Sequence, residues 1–116
     1  MSKKPRLAPP TPRRPADPHK AALSRIAELV GRGYDAARLQ REAEAVIQSL
    51  RGSMEPEDLR DVLDEVREQL AAGVEAAEEQ ANEIDSDDKA TARNVQRMVG
   101  AMTAARDAFG RAASAL

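Results

Sequence analysis

Carboxylates are the side chains of this sequence best equipped for chemistry, and two groups of them have spacing worth testing. Glu75, Glu78 and Glu79 fall within one helical stretch, as the ligands of a carboxylate-bridged metal site in a helical bundle do. Such sites follow Glu with His three residues later, whereas Ala81 stands three residues after Glu78. The second group, "DSDDK" from Asp85 to Lys89, has the outline of a calcium loop. An EF-hand loop opening at Asp85 needs Gly at 90 and Glu at 96, and this chain has Ala90 and Gln96. Ser86 and Asp87 are expected to cap a helix instead. The remaining inventory is short. His19 is the single histidine and cysteine is absent, which excludes disulfides and thiolate zinc sites. Ser24, Ser49, Ser53, Ser86 and Ser114 have no base at matching spacing, and no glycine-rich phosphate loop follows a strand. The sequence predicts a non-enzymatic protein with no cofactor, no metal and no small-molecule substrate.

Charge carries more information than any motif. The net charge of −2 is sorted along the chain: +5 over residues 1–20, +1 over 21–52, −12 over 53–88 and +4 over 89–116. The opening segment "KKPRLAPPTPRRP" offers Lys3, Lys4, Arg6, Arg13 and Arg14, with Lys20 beyond it, as candidate contacts to nucleic acid or a partner. Phosphate contacts of this kind are strongly salt-dependent. The net acidity of the whole chain argues against tight nucleic-acid binding by the molecule at large. The same segment spaces Pro9, Pro12 and Pro15 as a polyproline docking peptide would. A plain tether remains the simplest account of it.

The acidic stretch has three readings. Its carboxylates form a solvated outer face partly opposite Arg93, Arg97, Arg106 and Arg111, each exposed pair worth only ~0.5 kcal/mol. Alternatively Asp61, Asp64, Glu65 and Glu68 form an acidic partner face that steers a basic protein onto it. In the third reading the acidic helix imitates a phosphate backbone and blocks a basic site, as an inhibitor or antitoxin-like protein would. "RIAELVGRGYDAARLQREA" invites a helix-turn-helix reading with Arg38 and Arg41 toward DNA. Arg32 and Gln40 fall where that motif wants apolar residues, and Glu42 and Glu44 share the surface.

These side chains must be positioned by helices, because nothing alternates with the period of a strand. Six of seven prolines lie between Pro5 and Pro18, so residues 1–16 are expected to be a disordered basic arm. Residues 17–116 form a single helical domain. Asp17 and Pro18 open a first helix that Gly31 and Gly33 stop. A second, capped by Asp35, runs to Gly52, and the two make a short pair over 17–52. A long antiparallel hairpin over 55–115 follows. Its first helix begins at Pro56 and spans about 28 residues, or ~42 Å at 1.5 Å per residue. The expected fold is all-α, four-helix and bundle-like.

The hairpin interface is predicted from a heptad-like, coiled-coil seam: Leu59, Leu63, Val66, Leu70 and Gly73 on one helix, with Val95, Met98, Val99, Met102 and Phe109 on the other. Folding the chain between Ser86 and Asp87 pairs residues whose numbers add to 173, and so sets Gly73 opposite Gly100. Two glycines at one depth predict either a close approach of backbones or a slot for a partner's side chain.

The core looks thin. Ala accounts for 23 of 116 residues, and residues 21–116 hold 23 apolar side chains larger than Ala. A lone monomer is expected to be marginal, with self-association as the remedy. The sequence therefore predicts an assembly or adaptor protein acting through helix–helix contacts with protein partners, itself included. The rivals are a small DNA-associated regulator using the arm, and the acidic inhibitor. No apolar run approaches the ~20 residues of a membrane span, and proline interrupts any secretory signal, so a cytoplasmic location is expected. The Ala and Arg bias suggests a bacterial or phage source.

Overall fold

The computed structural model describes residues 18–116. Asp17, the arm, and with it Lys3, Lys4, Arg6, Arg13 and Arg14, lie outside the described residues. Four helices account for most of the rest: α1 (Pro18–Gly31), α2 (Ala36–Arg51), α3 (Pro56–Asn82) and α4 (Lys89–Ser114). The all-α, four-helix expectation holds, and so do the boundaries to within a residue or two.

Local chemistry explains each boundary. Beyond α1, Gly33 takes φ 95°, a conformation that costs glycine little. It lets the Gly33 N–H donate to the Val30 carbonyl at 3.1 Å and the Tyr34 N–H to that of Leu29 at 3.4 Å, the bond pattern of a Schellman stop. Asp35 caps α2, its Oδ1 accepting from the Arg38 N–H at 3.0 Å. Pro56 occupies the first turn of α3, and Glu57 and Asp58 complement the positive end of that helix. The cap of α4 is a correction. Asp88, not Ser86 or Asp87, accepts from the Thr91 N–H at 3.1 Å, because the turn between the long helices extends to that residue.

The helices run alternately up and down, yet sequence neighbours are not always spatial neighbours. α4 packs against α3 on one side and α2 on the other, while α1 lies chiefly against α3. The order around the bundle is therefore α1–α2–α4–α3, and residues 52–55 carry the chain across one end from α2 to the diagonally placed α3. Met54, in that connection, packs against the core. α4 can serve two partners because most of its buried positions are alanines: Ala101, Ala105, Ala108 and Ala113, with Val95 and Phe109 as the larger members. Small side chains let helices approach closely, and Phe109, fully buried, fills the space between them.

The predicted seam is largely correct. Leu59, Leu63, Val66, Leu70 and Phe109 belong to the main buried cluster, with Met98 and Met102 partly buried against it. Val95 is buried beyond it, near the far end of the hairpin, as are Val74 and Ala77. Two positions fail. Val99 is only half-buried and outside that packing, and a Cβ at Gly100 would meet nothing within 4 Å. Gly73 does face a close neighbour, but it is Met102: a Cβ at 73 would stand 2.5 Å from Met102 Cε. There is thus no glycine-to-glycine crossing. α4 is turned so that its alanine face meets α2, which carries Gly100 away from α3.

Among the described residues the core is built from apolar side chains alone: twenty apolar residues are buried, seven of them alanine, and no polar or charged one is. Among the described residues, Leu116 is the single large hydrophobic side chain that is exposed.

Candidate functional site

One end of the bundle gathers the start of α1, the end of α2, the start of α3 and the end of α4. There an open groove of about 910 Å³ runs between α3 and α4. Arg60 and Arg67 line it from α3 and Arg106 and Arg111 from α4, with Asp64 and Asp107 between them. Helical spacing makes this possible. Arg60, Asp64 and Arg67 follow one another at steps of four and three, so all three stand on one flank of α3. Gly110 shapes the floor, since a Cβ there would lie 3.0 Å from Arg67 Cδ. Its absence gives the arginine stem room to lie along the groove.

The pairing inside the groove is incomplete. Arg106 donates through Nε and Nη2 to Asp107 Oδ1, at 3.1 and 3.0 Å. Arg67 stands 3.9 Å from Asp64. Arg60 and Arg111 make no hydrogen bond or ion pair within the described residues. Four arginines against two aspartates leave an excess of two positive charges. A second groove, of about 560 Å³, continues from Arg111 to Arg41 and Arg51 on α2, with Glu44 also lining it; neither of these arginines has a partner among the described residues. Such a surface suits an anionic occupant, because guanidinium groups bind carboxylates and phosphates in fork geometry. A third groove, of about 450 Å³ and mainly apolar, lies between α1 and α2, with Pro18 and Leu50 among its lining residues.

No match to a protein-family model, a curated protein or a solved structure was found for this chain. The function must be argued from the molecule itself.

Asp61, Asp64, Glu65 and Glu68, the acidic face predicted from sequence, are spaced at helical steps of three and four on α3, so they share one flank of it. Asp61 and Glu68 are exposed, and Glu65 accepts from Gln69 Nε2 at 3.0 Å. Asp64, on the same flank, also lines the groove among its arginines. The α4 arginines do not answer the α3 acids: among the described residues no ion pair joins the two helices. Arg97 instead reaches α1, donating through Nη1 to the carbonyls of Val30 and Tyr34 at 3.3 and 2.9 Å. It ties α4 to the α1–α2 turn, sharing the Val30 carbonyl with the Gly33 N–H and taking that of Tyr34, which lies beyond α1.

The residues of the helix-turn-helix reading, Arg38 and Arg41, are both exposed on α2. Arg38 lies over the Tyr34 ring, 4.5 Å from its centroid, and Glu42 pairs with Arg25 at 3.9 Å as α2 runs back along α1. Lys20 is exposed on the first turn of α1. Among the described residues, no group of three His, Asp or Glu is placed to hold a metal, and no helix is long and apolar enough to cross a membrane. Asp88 has a displaced acidity. The Thr91 hydroxyl, and then the Thr91 N–H, hold its carboxyl below the usual value of 3.8.

The groove itself was missed in the sequence, although a signal for it exists. The rule that numbers add to 173 sets Arg67 opposite Arg106 and puts Arg60 beside Arg111. Like charges at one depth were visible there, and they mark the site.

Proposed function

We propose that this is a non-enzymatic assembly or adaptor protein, acting by docking of its folded helical surface onto protein partners that include copies of itself. The observation that carries the reading is the arginine groove, with Arg60 and Arg111 unpartnered on a bundle that has used its apolar side chains internally. Contacts built from such charges gain on-rate and specificity more than raw affinity, so the assembly is sensitive to salt. Sedimentation of the intact chain, from low salt up to the ~1 M at which the Debye length falls to about 3 Å, tests it. Self-association at low salt that declines with added salt supports the reading, and a monomer throughout overturns it.

A second reading has its own support. Pro18, where the basic arm joins the fold, lines the α1–α2 groove beside Ser53 and Met54, at the same end as the arginines. The cations that precede Pro18 in sequence would add phosphate contacts to those of the groove arginines, as a DNA-associated regulator requires. Binding of a DNA duplex that weakens with salt and is lost on removal of residues 1–16 supports that alternative. No binding at low salt removes it.

A further inference from the structure

The groove is one pole of the molecule, and the other pole is its chemical complement. Between Arg67 and Lys89 there is no basic residue, while the tip of the hairpin carries Glu75, Glu78, Glu79, Glu83, Asp85, Asp87 and Asp88. Only Asp88 has its carboxylate engaged, on Thr91. The other six make no hydrogen bond or ion pair through their side chains within the described residues. At the opposite end, Arg60 and Arg111 are equally without partners.

The two poles of one chain cannot meet. From Asp64, in the groove, to Glu83, at the end of α3, is nineteen residues, or ~28 Å along a helix. That is several times the ~8 Å screening length at physiological salt. The rigid helix holds them apart, so the tip of one chain cannot neutralise the groove of that same chain. The tip is a helix–turn–helix end and the groove is open to solvent, so each is accessible to a second copy.

We propose that the protein assembles head to tail, the acidic tip between α3 and α4 of one copy seated in the arginine groove of the next. This rests on the docking reading above and names its partner. Each copy carries one groove and one tip, so the contact is heterologous. It extends into an open chain of copies, or a ring if the rotation closes. Arg60 and Arg111 accept carboxylates of the incoming tip, while Asp64 and Asp107 keep their present arginines and limit how much negative charge the groove will take.

Paired charge reversals test the contact. Arg60→Glu with Arg111→Glu makes an acidic groove, and Glu78→Arg with Glu79→Arg makes a basic tip. All four residues are exposed, so the fold should survive, which circular dichroism checks. By sedimentation at low salt, each variant alone is expected to lose on the order of tenfold or more in self-association. A mixture of the two should recover it, because each groove then finds a tip of opposite charge. The chain lacks cysteine, so Ser86→Cys and Ser114→Cys variants, mixed, should form a disulfide-linked heterodimer, whereas Ser86→Cys alone should not link tip to tip.

Association of the intact chain that survives both reversals, or a mixture that fails to recover, overturns the head-to-tail contact and leaves the docking reading standing. A monomeric intact chain overturns both. A groove reversal that abolishes binding of a DNA duplex while leaving self-association intact assigns the groove to phosphates and likewise overturns the proposal.

Discussion

Gly73 and Gly100 look equivalent in the sequence, and the structure makes them respond oppositely to one added methyl group. In a helix interior Gly is about 1 kcal/mol less favourable than Ala. At Gly100 a Cβ meets nothing within 4 Å, so most of that gain should be realised, about 0.5–1 kcal/mol. For a domain of this size 1 kcal/mol moves Tm by roughly 4–8 °C, and Gly100→Ala should raise it by about 2–8 °C. At Gly73 the same change places Cβ 2.5 Å from Met102 Cε. The methionine must leave its position, and an off-rotamer side chain costs on the order of 0.5–1.5 kcal/mol. That cancels or exceeds the helix gain, so Gly73→Ala should leave Tm unchanged or lowered. Calorimetry of both variants at one protein concentration decides the matter. Equal stabilisation by the two would refute the assigned packing of Met102. A loss of stability at Gly100 that grows with protein concentration would mean that its open side is occupied by a partner.

Other expectations follow from single side chains. Phe109→Ala empties a fully buried site and should cost about 3–5 kcal/mol, read as a fall in the urea midpoint at unchanged slope; a cost under ~1 kcal/mol would contradict its place in the core. Arg97→Ala removes two bonds to the α1–α2 turn and should cost about 1.5–3 kcal/mol, with Arg97→Lys recovering only part because its ammonium lacks the guanidinium fork. The Asp88 carboxyl is held below 3.8 in the folded chain, so its capping contribution is full above that pH and disappears as pH falls through the lower folded value. Thermal midpoints followed from neutral into acid should therefore converge for the natural chain and Asp88→Asn, and parallel curves would refute the cap assignment.

The groove and the acidic tip also differ in how readable they were. The tip is continuous in sequence, so its charge was plain from residues 75–88. The groove is assembled from two helices some forty positions apart. It stayed hidden because Arg60 and Arg67 read as exceptions within an acidic helix, and Arg106 and Arg111 as partners for those acids. Arg97 was misplaced for a related reason. Its acceptors are main-chain carbonyls of Val30 and Tyr34, and every sequence has carbonyls, so nothing in the side-chain pattern points to them.

By itself the sequence determined the number, limits and type of the elements. Apolar residues at steps of three and four, proline at the heads of α1 and α3, Asp35 ahead of α2 and Gly33 after α1 are local instructions, and local sterics and hydrogen bonds carry them out. It also settled the antiparallel hairpin, because a short break between two long helices leaves the chain little other choice. What only the tertiary structure decided is the order α1–α2–α4–α3 and the rotation of each helix about its axis. Those depend on which faces win the competition for burial. The alanine face of α4 admitted α2 beside α3, and that rotation sent Gly100 outward, drew Met102 over Gly73, and brought four arginines together along a single groove.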